Sequence, residues 1–171
     1  MRKRLKLSRD IKKLCKKNKY KLVQNRKFFN SFKWNTKEHD FVLYTGKYVY
    51  YVHYLTLRKY NANLVFESKG EISYTMLPLK NIFSLIFNLK PVKKTYHVEF
   101  PPLPDMDSKK VVRVVLVNPV CSDMYEKDKD GGLVSTGNGM EKYGYTVYTG
   151  SGFIDSIERN ERNTKETKKN F

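Results

Sequence analysis

Phe41 to Leu57 reads FVLYTGKYVYYVHYLTL, and this stretch decides the fold. Phe41 to Tyr44 is a short apolar and aromatic run, which reads as a strand. Thr45-Gly46-Lys47 supplies a turn. Tyr48 to Leu57 is rich in Tyr and Val and reads as a long second strand. The two together predict a β-hairpin. Alternation places Val49, Tyr51, His53, Leu55 and Leu57 on one face of the second strand. Tyr48, Tyr50, Val52, Tyr54 and Thr56 face the other way.

Downstream, Leu64 to Phe66 and Glu71 to Met76 read as an antiparallel pair turning at Lys69-Gly70. Leu79 to Leu89 fits a short buried helix or an irregular strand, and periodicity does not choose between them. Tyr96 to Phe100 reads as a strand stopped by Pro101 and Pro102. Val111 to Val117, VVRVVLV, is β-branched with one charge and predicts the central strand. Cys121 to Lys142 carries five acids among glycines and predicts a surface loop or loose hairpin. Tyr143 to Tyr148 returns to strand, and Phe153 to Arg159 reads as a short helix. Thr149-Gly150-Ser151-Gly152 lies between them, with Ser151 or Thr149 as its helix cap. No lysine follows those glycines as a P-loop requires.

Upstream, Leu7, Ile11, Leu14 and Cys15 fall at i, i+4, i+7 and i+8 and predict a basic amphipathic helix over residues 8–18, capped by Ser8. The expected fold is a single α/β or α+β domain over residues 1–160. It has a central mixed β-sheet, a basic N-terminal helix or arm (1–37) and a short C-terminal helix. Residues 161–171 are polar and are expected to be disordered.

The charge is concentrated. The chain has 171 residues and a net charge of +17. Residues 1–37 hold 15 Lys and Arg against one acid, Asp10, a net of +14. Such an arm points to a polyanionic partner. Lys12, Lys13, Lys16, Lys17, Lys19, Arg26 and Lys27 are the expected phosphate contacts, and Phe29 and Trp34 are placed to stack on bases or to join the core. The partner is expected to be nucleic acid, DNA or RNA, with an acidic protein as the alternative.

Several classes are excluded. The most apolar run, Ile82 to Leu89, is far short of the roughly 20 residues a membrane span needs. The basic start lacks an apolar core to follow, so it is not expected to be a signal peptide. Two cysteines make no disulfide framework and are expected to be reduced thiols in a cytoplasmic protein. Three histidines and two cysteines lack zinc-ligand spacing. The acids Asp123, Glu126, Asp128 and Asp130 lack the spacing of an EF-hand.

One arrangement carries candidate chemistry. A helix precedes a hairpin whose first strand opens with Asp40, and the second strand carries Tyr51-Val52-His53 at its centre. This resembles the PD-(D/E)xK, or restriction-endonuclease-like, nuclease superfamily over roughly residues 8–66. The resemblance implies a metal-binding Asp at Asp40 and an acid-x-Lys triplet on the next strand. Here Tyr51 stands for the acid, His53 for the lysine, and His39 for the proline before the Asp. The resemblance thus implies a nuclease-like scaffold that lacks cleavage and needs no cofactor. The alternative is a metal-dependent nuclease. In it Asp40 and Glu67 hold Mg²⁺, and Lys69 or His53 lies beside the phosphate, because Glu67-Ser68-Lys69 also spells acid-x-Lys.

Overall fold

Tyr and Val crowd the hairpin because both of its faces are covered. The computed structural model describes residues 2–24, 39–56, 62–68, 70–76, 92–97, 102, 108–118, 121 and 123–167. In chain order the elements are α1 (Arg2–Asn18), β1 (Lys21–Gln24), β2 (Phe41–Tyr44), β3 (Tyr48–Thr56), β4 (Ala62–Ser68) and β5 (Glu71–Met76). There follow β6 (Val92–His97), β7 (Lys110–Asn118), β8 (Asp123–Lys127), β9 (Leu133–Ser135), β10 (Glu141–Lys142), β11 (Tyr145–Thr149) and α2 (Gly152–Thr167).

The fold is α+β with a central mixed sheet. That sheet has six strands in the order β1-β2-β3-β7-β11-β10. β1, β2 and β3 form an antiparallel meander, with Phe41 opposite Val52 and Leu43 opposite Tyr50. β7 then runs parallel to both β3 and β11. A second sheet has five strands in the order β6-β5-β4-β8-β9.

The side chains of β7 show how the layers stack. Val114 and Leu116 pack with Leu7, Ile11 and Leu14 of α1 and with Phe153 and Ile157 of α2. Val115 and Val117 pack with Leu64, Phe66, Ile72, Tyr74 and Met124 of the second sheet. The molecule is thus helices on sheet on sheet. A strand buried on both faces cannot alternate apolar and polar, which is why VVRVVLV reads as one apolar run.

α1 ends in a Schellman arrangement. The Tyr20 N–H donates to the Cys15 carbonyl at 2.9 Å, and Lys19 takes φ 57° at the reversal. The helix begins at Arg2, so Ser8 is an interior residue, buried, and not the expected cap.

Other expectations change. Within 121–142 the hairpin alternative holds, since β8 pairs antiparallel with β9, and β8 is also joined in parallel to β4. Only Met124 of β8 is fully buried, so its composition hid the strand. The strand expected at 96–100 overlaps β6, an edge strand that leaves Lys93, Thr95 and His97 exposed, and residues 98–100 lie outside the described residues. α2 runs on to Thr167, through most of the stretch expected to be disordered. Phe153 and Ile157 anchor its first turns, and propagation costs less than nucleation. Residues 25–38 and 79–89, with Leu57 and Lys69, lie outside the described residues. Among the described residues no helix is long and apolar enough to cross a membrane.

Candidate functional site

α1 divides cleanly into two faces. Leu7, Ser8, Ile11, Leu14 and Cys15 are buried, as the spacing predicts for the four apolar ones. Lys6, Arg9, Lys12, Lys13, Lys16, Lys17 and Lys19 are exposed. At about 100° per residue the first six of these cations cover roughly 140° of the helix surface, along about 16 Å of its length, and Lys19 follows at the reversal. The single acid, Asp10, sits half-buried at the margin. Lys21 continues the charge past the helix end, with its Nζ 5.6 Å from the centre of the Tyr44 ring.

Like charges at i, i+4 oppose helix formation, and Arg9–Lys13, Lys12–Lys16 and Lys13–Lys17 are such pairs. The apolar face offsets this by docking on the sheet, while Lys16 and Lys17 in the last turn favour the helix dipole. The result is a cationic surface held by the docked apolar face of the helix. Lys12, Lys13, Lys16, Lys17 and Lys19 are on it as expected. Arg26, Lys27, Phe29 and Trp34 lie outside the described residues. Lys6, Arg9 and Lys21 were missed, although the same periodicity that placed Lys12 also places Lys6 and Arg9.

The hairpin gathers a second group. The Asp40 N–H donates to the Val52 carbonyl at 3.0 Å, one residue out of step with the β2–β3 register, which ends at Phe41 opposite Val52. The Tyr54 N–H donates to Asp40 Oδ2 at 2.6 Å. The His39 ring lies 4.7 Å from both the Tyr51 and the His53 rings, centre to centre. Arg113 of β7 is in register with Tyr51. The structure therefore assembles His39, Asp40, Tyr51, His53 and Arg113. His39 and Arg113 were not singled out as site residues. The only signal for His39 was its place before Asp40, and Arg113 was visible only as the one charge in an apolar strand.

Burial controls the chemistry of this group. His53 is 2% exposed. Burial first, then the charges of His39 and Arg113, lower its pKa to about 3. Burial and Arg113 lower that of His39 to about 4. Both rings are neutral near pH 7. His53 therefore does not supply the cation that a lysine supplies beside a phosphate. The Tyr51 phenol is pushed up by burial and by Tyr44, so it stays protonated and offers no anionic oxygen.

Glu67 belongs elsewhere. It lies on the five-stranded sheet, on the face opposite the core residues Leu64 and Phe66. There it accepts from Ser73 Oγ at 2.5 Å and pairs with Lys127 at 2.5 Å and Lys93 at 3.0 Å. The hydrogen bonds from Lys127 and Ser73 lower its pKa to about 2. Glu67 thereby ties β4, β5, β6 and β8 together. Asp40 and Glu67 stand on different sheets, each already engaged, and do not fit a Mg²⁺ ion shared between them. Among the described residues no three His, Cys, Asp or Glu side chains gather as a metal-holding group.

The remaining candidates are structural. Ser151 caps α2, its carbonyl accepting from the Asp155 N–H at 3.1 Å. Cys15 and Cys121 are buried thiols, each pushed up by burial to about 11. Comparison with known proteins finds no matching family model, no matching curated protein and no matching solved structure.

Proposed function

We propose that this chain binds nucleic acid through the cation-covered face of α1, on a nuclease-like scaffold that does not cleave. The observation that carries the reading is the set of six exposed cations fixed on one side of a docked helix, with Lys19 just past its end. A polyanion relieves their mutual repulsion and releases its own counterions on binding. The scaffold half of the reading rests on the helix, the antiparallel hairpin, and Asp40 set beside the Tyr51-Val52-His53 triplet.

The absence of cleavage rests on residue chemistry. Tyr51 gives no carboxylate where one is needed, His53 is buried and neutral, and an Asp40 oxygen already accepts from the Tyr54 N–H. Binding to labelled DNA and RNA across a salt series tests the proposal. Affinity is expected to fall linearly on a log–log plot, with a slope no steeper than about −6 for full engagement of the helix face. An affinity that stays constant as salt rises would refute it. Cutting of either nucleic acid in Mg²⁺ by the purified chain, lost in Asp40→Ala, would refute the non-cleaving half.

A further inference from the structure

Among the described residues four strands end the two sheets: β1 and β10 in the six-stranded sheet, β6 and β9 in the five-stranded one. An open edge presents a row of unpaired backbone donors and acceptors, and charged side chains are a common guard against another chain adding to it. β1 carries Lys21, β10 is Glu141-Lys142, and β6 carries Lys93 and Lys94. β9 is Leu133-Val134-Ser135, with no charge and no proline.

The side chains of β9 are open as well. Leu133 is 57% exposed and Val134 is 46% exposed. Met140 and Tyr143 are the other exposed large apolar residues among those described, so all four fall within residues 133–143. The strand is nevertheless held in place. Asp128 Oδ1 accepts from the N–H groups of Asp130 and Gly132, at 3.0 and 2.6 Å, and closes the turn before β9. A preorganised edge leaves little ordering for a partner to impose.

The pairing with β8 fixes which way the β9 backbone points. The Asp128 N–H donates to the Gly132 carbonyl, and the Thr136 N–H donates to the Met124 carbonyl, each at 2.9 Å. Antiparallel pairs alternate between bonded and non-bonded. Gly132, Val134 and Thr136 therefore turn their backbone groups toward β8, and Leu133 and Ser135 turn theirs outward. The outward groups lie symmetrically about Val134. A second β9 running antiparallel matches them: Leu133 exchanges two hydrogen bonds with Ser135 of the second copy, Ser135 does the same with its Leu133, and the two Val134 residues meet on the two-fold axis.

Charge favours the same occupant. Residues 121–143 hold five acids against three lysines, in a chain of net charge +17. α1 packs on the face of the six-stranded sheet that is turned away from the second sheet, to which β9 belongs. Two copies joined at β9 thus keep their cationic helices apart.

We propose that β9 is a self-association edge, at which two copies of this chain pair β9 to β9 about a two-fold axis through Val134. The two five-stranded sheets become one continuous sheet, and Leu133 and Val134 leave water. The proposal is independent of the nucleic-acid reading.

Sedimentation of the full chain, free of nucleic acid, between about 1 and about 300 µM tests it. The mass is expected to rise from 20.3 kDa to twice that value and to stop there. The contact is small, so the rise belongs to the upper part of the range. Val134→Lys sets two like charges on the axis and is expected to remain a single copy. So is Ser135→Pro, which removes an outward N–H that the β8 pairing does not use. Both positions are exposed in the single copy, so far-UV circular dichroism should match the parent's. Val134→Cys gives a readout that does not depend on losing anything. A non-bonded antiparallel pair sets its Cα atoms about 4.5 Å apart, within disulfide reach, so mild oxidation should cross-link this variant into dimers. The parent should not cross-link, because Cys15 and Cys121 are buried. A parent that stays a single copy throughout, or a mass that climbs past two copies, would overturn the proposal. So would a dimer that persists in either Val134→Lys or Ser135→Pro, or a Val134→Cys chain that forms no disulfide.

Discussion

Mild acid should destabilise this fold well before its carboxylates protonate, because His39 and His53 are buried neutral. An unfolded histidine titrates near 6.5, whereas in the folded chain the two titrate at about 4 and about 3. Between the two values the unfolded chain binds more protons than the folded one. Stability is therefore full above pH 6.5 and is lost as pH falls toward 4. At about pH 5 each unfolded histidine gains about 2 kcal/mol from protonation, which the folded chain does not share. Together that is about 4 kcal/mol, a large fraction of the roughly 5–15 kcal/mol that holds a typical domain.

Urea unfolding followed by far-UV circular dichroism reads this directly. For a slope of about 2 kcal/mol per molar urea, the midpoint should drop by about 2 M between pH 7.5 and pH 5. Glu67 does not confuse the window. Its stabilisation is present above its unfolded value of 4.5 and is lost only as pH falls on toward about 2. In His39→Gln/His53→Gln the pH dependence over this interval should flatten, whatever the variant's absolute stability. An unchanged midpoint in the parent chain, or the same slope in the double variant, would refute the reasoning.

Three further outcomes follow from the packing. Ile11→Ala removes a fully buried side chain between α1 and the central sheet and should cost about 2–5 kcal/mol by denaturant titration; a cost near zero would mean that α1 is not docked. Glu67→Gln leaves Lys93 and Lys127 without their carboxylate and should cost about 1–2 kcal/mol at neutral pH, with the loss vanishing near pH 2 where the parent carboxyl is itself protonating. Cys15 and Cys121 should resist a thiol reagent in the native chain and react fully in denaturant; rapid native labelling of either would contradict their burial.

The parts of the fold legible in the sequence are those set by local periodicity. Leu7, Ile11, Leu14 and Cys15 lie on one helical face, and they are the residues buried under α1. The alternation in β3 is real: Tyr50, Val52 and Tyr54 meet the helices, and Leu55 meets the second sheet. The site was legible in part. The lysines of α1 could be read because a helix face follows from spacing alone. The histidine cluster could not, because His39 meets His53 only through the β2–β3 register and Arg113 joins through a parallel pairing formed across some 60 residues of chain.

The sequence by itself determined α1, the β2–β3 hairpin, β7 and the start of α2, and that the charge is gathered near the start of the chain. Backbone geometry and side-chain spacing act over a few residues, so both are written locally. The tertiary structure decided that the strands form two sheets, that Glu67 serves as an ionic clasp, and that two histidines are sealed in their neutral form. Strand pairing is a long-range choice among segments with similar alternation, and burial depends on what that choice stacks against each face.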